Sequence, residues 1–316
     1  MYPHRPRAAA LALVLLAGGC SAAGTSPLGP SLGPRPPLAR VHGRPLPDAR
    51  HNYVYVADTF ANTVWIFPAS PKNPNPVGSI TTGISEPQGL AVDASGNLYV
   101  ANTGNATVTI YPPGGSTPSL TLSQDLPVPA AVAVDSKGDV WVSNEEGGYT
   151  GSLVEFPAGQ TIPSTVITGV NPLGIAVDSA DNLYAESYNN SAAYVAVYPP
   201  GATQPSQTFG QQNVLEPLGM AIGPTGDVYV SDFYYDDVFV FAASTHKLKH
   251  KVFDETGDLT GLTISRYKRL YVADADMAVV SEISRRGFGK VLADRFHNDL
   301  QSAYGVAADP AVAPGP

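Results

Sequence analysis

Short runs of alternating apolar and polar residues recur every 42 to 45 residues, from residue 52 almost to the end of the chain. The six copies read NYVYVAD (52–58), NLYVANT (97–103), DVWVSNE (139–145), NLYAESY (182–188), DVYVSDF (227–233) and RLYVADA (269–275). Each carries an aromatic anchor: Tyr55, Tyr99, Trp141, Tyr184, Tyr229 and Tyr271. Alternation with a period of two predicts a strand. A more apolar run precedes five copies: GLAVD (89–93), AVAVD (131–135), GIAVD (174–178), GMAIG (219–223) and GLTIS (261–265). A third run ends at proline in IFP (66–68), IYPPG (110–114), VEFPAG (154–159) and VYPPG (197–201). Proline has no N–H for a strand ladder, so it stops that strand.

Each repeat therefore predicts four strands. In residues 87–122, strand A is Gly89–Asp93, strand B is Asn97–Ala101 and strand C is Thr107–Tyr111; strand D lies around Ser119–Leu122. The turn Ala94-Ser95-Gly96 joins A to B, and its glycine can take positive φ. Blades 5 and 6 lose the aromatic–proline stop and carry HKLKHK (246–251) and SRRGFGK (284–290), charge that protects an outer edge. No helix of useful length is predicted. A period in this range, made of short strands, marks a β-propeller.

The two ends fix the number of blades. The ordered chain opens on a strand B (52–57) with no strand A before it. It closes on YGVAAD (304–309), a strand A with no strand B after it. Each completes the other. The expected fold is all-β: a single six-bladed propeller of four-stranded antiparallel blades over residues 51–309. The N- and C-terminal strands pair to close the ring and leave no free edge at the seam.

The first fifty residues read differently. Arg5 and Arg7 precede the apolar stretch AAALALVLLA (8–17), too short to span a bilayer. This is a signal-peptide core, and it ends in Ala17-Gly18-Gly19-Cys20. Cys20 is the only cysteine in the chain. It has no disulfide partner, and it stands where a bacterial lipoprotein is lipidated. Residues 1–19 are assigned to a lipoprotein signal peptide, with Cys20 as the lipidation site. The alternative is an ordinary secretory signal cut near Ala23. Residues 20–50 are a proline-rich, flexible tether. It carries Arg35, Arg40, Arg44 and Arg50 against Asp48, either to attract anionic headgroups or as a plain solvated linker. Residues 310–316 are a disordered tail. The expected location is the bacterial cell envelope, membrane-anchored, or alternatively the secreted fraction. A net charge of −9 disfavours nucleic acid as a partner. A monomer is expected.

The pattern P-x-G-[IL]-A-V-D, then G-N-L-Y-V-A-N-T-G-N, then V-x-[IV]-[YF] resembles the NHL-repeat propellers. It is clearest in PQGLAVDASGNLYVANTGNATVTIY (87–111) and thinnest in blade 6. The resemblance implies a fold first, since such propellers include lyases, lactonase-like metal enzymes, and protein- and RNA-binding modules. The amidating lyases of this fold hold zinc with histidines from several blades. Here the domain offers His51, His246, His250 and His297, of which only His297 lies near the candidate face. Nucleophile-elbow and phosphate-loop motifs are absent from the sequence.

Strand direction places the D–A and B–C loops on one face, around the channel. Candidate ligand-binding residues there are Glu86, Asn144, Tyr188, Glu216, Asp232 and Tyr234. Acids and amides at a channel mouth suit a hard cation such as Ca²⁺, so Glu86, Asn144 and Asp232 are the metal candidates. Aromatics beside polar groups suit a peptide or a sugar. The competing reading is local: Asp or Asn at the end of strand B caps loop amides in each blade. FYYDD (233–237) departs most from the repeat. The A–B turn acids Asp93, Asp135, Asp178 and Asp309 fall on the opposite face and read as hairpin chemistry. The favoured function is a non-catalytic binding or scaffold module for protein, peptide or glycan, with no cofactor. The alternative is a metal-dependent hydrolase or lyase, lactonase-like, with a divalent cation at the channel.

Overall fold

The computed structural model describes residues 53–69, 74–146, 150–189, 192–253, 257–265, 267–283 and 292–308. Cys20, the signal peptide, the tether, Asp309 and the tail 310–316 lie outside these residues.

Six four-stranded antiparallel sheets form the blades. Blade 1 holds β1 (Tyr53–Asp58), β2 (Thr63–Pro68) and β3 (Gly78–Ile80). Blade 2 is β4 (Pro87–Val92), β5 (Leu98–Asn102), β6 (Thr107–Tyr111) and β7 (Leu120–Leu122). Blade 3 is β8 (Pro129–Val134), β9 (Val140–Glu146), β10 (Thr150–Phe156) and β11 (Thr165–Val170). Blade 4 is β12 (Pro172–Val177), β13 (Leu183–Asn189), β14 (Ala192–Tyr198) and β15 (Gln207–Phe209). Blade 5 is β16 (Pro217–Ile222), β17 (Val228–Asp232), β18 (Asp237–Phe241) and β19 (Leu248–Phe253). Blade 6 is β20 (Leu259–Ile264), β21 (Leu270–Asp274), β22 (Val279–Ile283) and β23 (Leu292–Phe296). The last strand, β24 (Ala303–Ala308), returns to pair antiparallel with β1, from Val54↔Ala308 to Asp58↔Ala303. The closure expected from the complementary termini is therefore present. Among the described residues the only helix is a 3₁₀ turn at Thr103–Asn105.

The core is divided into six layers, one between each pair of neighbouring blades. Strand alternation explains this. In β1, Val54 and Val56 pack toward blade 6, while Tyr53 and Tyr55 pack toward blade 2. Both faces of a blade are buried, so the second strands carry apolar residues on both faces, with buried polar residues confined to their ends near the loops. Tyr99, Trp141, Tyr184 and Tyr271 likewise face the following blade.

The A–B turns behave as hairpin turns. Asp93 Oδ1 accepts from Ser95 N and Asn97 N, and its Oδ2 accepts from Asn97 Nδ2 (2.7 Å) and Tyr99 OH (3.1 Å). Asp135 and Asp178 repeat the backbone part of this pattern. Two segments differ from expectation. The B–C connections of blades 3 and 4 are not loops throughout. β9 and β10 extend the hairpin through Glu146 and Thr150, and β13 and β14 extend it through Asn189 and Ala192. Continued cross-strand pairing satisfies more backbone donors than a loop would.

Candidate functional site

The D–A and B–C loops share one face, and hydrogen bonds tie them together within blades. Thr103 N donates to Glu86 O, Glu145 N to Val128 O, Tyr188 N to Asn171 O, Phe233 N to Glu216 O, and Ala275 N to Asp258 O. The residue ending strand B reinforces this tie. Asp232 is fully buried and accepts four backbone N–H groups. Oδ2 takes Leu215 N (2.6 Å) and Glu216 N (3.1 Å), and Oδ1 takes Tyr234 N (3.1 Å) and Tyr235 N (3.0 Å). Burial pushes its carboxyl up, and those donors oppose the rise. Asp58 plays the same part at the seam. It takes Gln301 N (2.7 Å) and Ser302 N (3.2 Å) from the C-terminal loop, and Ala61 N (3.0 Å) from its own turn. Asn102 accepts from Ser85 N at 3.1 Å. Asn144 Nδ2 donates to Asp125 O and Ser152 Oγ, both at 3.0 Å, while its buried Oδ1 has no partner.

The candidates read from sequence do not converge on one cation. Asp232, Glu216 and Tyr234 stand together in blade 5. Glu86 belongs to blade 2, where its N–H donates to Asn62 Oδ1 of blade 1 (2.7 Å) and its φ is 45°. Asn144 belongs to blade 3. Tyr188 lies within β13, half-buried against the layer between blades 4 and 5. Tyr234 is 60% exposed and meets Tyr235 edge-on at 5.2 Å. Among the described residues no three His, Cys, Asp or Glu side chains are grouped to hold a metal ion. Asp232 is poorly suited to that role, since its oxygens already serve backbone donors.

The axial channel is narrow, with a cavity of ≈ 70 Å³, room for a few waters rather than a sugar ring. First-strand residues Gly89, Ala131, Gly174, Gly219, Gly261 and Gly305 line it. They pack so closely that a Cβ on Gly219 or Gly261 would stand 2.9–3.0 Å from the next glycine's Cα. The channel is also lined by Gln88, Glu145 and Tyr304. Burial pushes Glu145 up, and burial together with Glu145 pushes the Tyr304 hydroxyl up to about 12.

Behind the channel wall lies Glu186, which sequence reading passed over. It is fully buried; Oε2 accepts from Gly174 N at 2.9 Å, and Oε1 has no partner. Burial, and secondarily Asp232, raise its carboxyl to about 8, so it is largely protonated at neutral pH. The signal was one position away from the residue that was read. The strand-B residue preceding the terminal Asp, Asn or Ser is Ala57, Ala101, Ser143, Glu186, Ser231 and Ala273. Ser143 Oγ donates to Leu173 O of the next blade (2.7 Å), and Ser231 Oγ donates likewise to Thr260 O. Glu186 occupies the equivalent place beside blade 5.

Charge is unequally shared between the two faces. The segments joining D to A and B to C contain no Lys or Arg, but hold Glu86, Asp125, Glu216, Asp258, Asp276 and Asp299 among their acids. Among the described residues, Lys and Arg occur only in turns of the opposite face (Lys137, Lys247, Lys268, Arg269) and in β19 and β23. The acidic face also exposes Phe60 (75%), Tyr234 (60%), Tyr235 (45%) and Met277 (50%).

The arrangement has counterparts among known proteins. The family model described as SMP-30/gluconolactonase/LRE-like region matches residues 47–133. A chain in the crystal structure of a nidogen/laminin complex superposes with a TM-score of 0.70 at 19% identity, covering 81% of this chain and 98% of that one. The chain is a six-bladed β-propeller. A protein of unknown function from Bacteroides caccae gives 0.64 at 11% identity, covering 82% and 98% of the two chains. One from Desulfotomaculum acetoxidans DSM 771 gives 0.57 at 12%, covering 80% and 84%. At these identities the likeness is one of fold. No curated protein matches the sequence.

Proposed function

We propose that this propeller is a non-catalytic binding module that takes a protein, peptide or glycan ligand on the face built by its D–A and B–C loops. In this reading it acts outside the cytoplasm, tethered through a lipid on Cys20. One observation carries the binding role. The strand-ending acids that a catalytic or metal centre would draw on are used as loop staples, with four backbone donors on Asp232 alone. They hold rigid turns from which large apolar side chains project into solvent. Rigid loops with exposed aromatics are recognition chemistry.

A second reading keeps the alternative of a metal-dependent hydrolase or lyase acting on a small polar substrate. It is favoured by the family match over residues 47–133 and by the unpartnered buried oxygens Asn144 Oδ1 and Asp274 Oδ2. Metal analysis after dialysis separates the two. Stoichiometric Ca²⁺ or Zn²⁺, together with lactone hydrolysis that chelation abolishes, would establish the second reading. Metal-free protein that retains peptides or glycans from an array, and loses them on Tyr234→Ala, supports the first. The anchor is tested separately, by membrane fractionation of Cys20→Ala.

A further inference from the structure

We propose that the partner of this face is a polypeptide segment rich in lysine or arginine, seated across blades 5, 6 and 1; this rests on the binding reading above and narrows it to one partner class. These blades are neighbours in the ring, since β16 touches β20 and β20 touches β24. Their B–C turns share one construction. An aspartate at the end of strand B accepts backbone N–H groups from the turn: Asp58 from Ala61, Asp232 from Tyr234 and Tyr235, and Asp274 from Met277. The fourth residue of each turn has positive φ: Asn62 at 50°, Asp236 at 55° and Ala278 at 50°. This geometry presents Phe60, Tyr234 with Tyr235, and Met277 to solvent.

An acidic residue is joined through the backbone to each of these turns. Glu86 is tied to the Phe60 turn through its N–H to Asn62 Oδ1 (2.7 Å). Glu216 shares Asp232 with Tyr234. Asp276 precedes Met277 in the chain. Among the described residues, the segments of this face carry no Lys or Arg to neutralise these acids. A ring face beside an uncompensated carboxylate attracts a cation twice, through the ring quadrupole and through charge.

The molecule already binds one of its own lysines in this way. Lys251 Nζ lies 4.3 Å from the Phe239 ring centroid and 5.2 Å from that of Tyr235, and 3.2 Å from Asp237 Oδ2. This nest is filled and flanks the turn that carries Tyr234. Tyr234 and Phe60 are exposed on the face that also carries Glu216 and Glu86, so the same two kinds of group, aromatic and acid, are offered there to a partner. A basic segment therefore fits by charge and by side-chain chemistry. An acidic or nucleic-acid partner does not.

The test uses the full chain and two synthetic peptides of equal length, one alternating Lys and Arg with Gly and Ser, the other carrying Glu at the basic positions. Fluorescence anisotropy at low salt should show binding of the basic peptide only, weakening as salt is raised. Phe60→Ala, Tyr234→Ala and Glu216→Gln should each weaken it about threefold, and the triple variant at least tenfold. Lys137→Ala, on the opposite face, should leave it unchanged. These positions carry little of the core, and thermal melts would verify that the variants fold. Basic-peptide binding that survives the triple variant would show diffuse attraction to an acidic protein and overturn the proposal. So would equal binding of the Glu peptide, or no binding of the basic one. Array ligands without basic groups that depend on Tyr234 would overturn this partner class while leaving the binding module intact. Metal-dependent turnover with no array ligand would overturn the module itself.

Discussion

The carboxyl of Glu186 fills the space that a side chain on Gly174 would need. Gly174 N donates to Glu186 Oε2 at 2.9 Å, and a Cβ at position 174 would fall on that same oxygen, with Gly219 Cα 3.0 Å away across the blade boundary. An acid has been built into the inner seam between blades 4 and 5 at the expense of any side chain at position 174. Gly174→Ala should therefore destabilise the fold by about 2–3 kcal/mol through overpacking. Much of that loss is steric conflict with one partner, so Glu186→Ala should partly rescue it. Urea denaturation of the two single variants and the double variant should give a coupling of about 1 kcal/mol or more. Strict additivity would show that the conflict lies with Gly219 alone.

The same carboxyl imposes a pH dependence. Its folded pKa is about 8, above the ordinary 4.5, because burial and then Asp232 disfavour the charged form. Between these values the folded state binds more protons than the unfolded state. Stability from this group is therefore fully present below about pH 4.5 and falls as pH rises toward 8, by several kcal/mol at most. Glu186→Gln keeps an acceptor for Gly174 N and cannot ionise. Melting curves from pH 5 to 9 should show a flatter profile for this variant, and a higher Tm than the parent at pH 9. Parallel profiles would mean that Glu186 does not titrate in this window.

His246 should act in the opposite direction. It stacks on Phe209 of blade 4, with ring centroids 4.3 Å apart and planes inclined at 9°, and lies 3.4 Å from Tyr184 OH. Burial lowers its pKa, against an opposing pull from Asp178. The unfolded state then takes up the proton first, so stability is present above about pH 6.5 and is lost as pH falls below it. NMR titration should place the His246 midpoint below that of a free imidazole, and His246→Phe should retain stability in this range. A midpoint above 6.5 would reverse the sign.

The blade count, the strand limits and the closure were readable because each is written in a local period. Asp93 with Asn97 announces a hairpin, and Pro112 stops a strand, whatever lies across the ring. The role of Asp232 was legible only as a choice between ligand and cap. The choice depends on where Leu215 N and Glu216 N point, and the loop supplies that, not the motif. Glu186 escapes a pattern that ends on the last residue of strand B, although a glutamate among alanines and serines stands out one place earlier. The charge separation between the faces was hidden for a different reason. It exists only once each loop has been assigned to an end of the ring. Tyr188 lies in the hairpin rather than in the loop beyond it because the length of a hairpin is set by cross-strand pairing, not by the residues of one strand.

The seam offers the last prediction. β1 and β24 come from opposite ends of the described chain, and Asp58 is the side chain that binds the loop leading into β24. Its oxygens accept from Gln301 N at 2.7 Å and Ser302 N at 3.2 Å, and also from Trp65 Nε1 at 3.4 Å. A fully buried carboxylate serving backbone donors is a charge-assisted acceptor, worth about 1.5–3 kcal/mol for each strong bond. Asp58→Ala leaves those N–H groups unmet in a dry site and should cost about 3 kcal/mol. Asp58→Asn keeps one acceptor oxygen and should cost less. Because the loss falls where the ring closes, it should also be local. Hydrogen exchange should rise first at Gln301 and Ser302 and along β24, while the amides of β13, in the facing blade, keep their protection. Uniform loss of protection around the ring would instead mean that the seam and the blades open as one unit, and that Asp58 holds nothing that the six interblade layers do not.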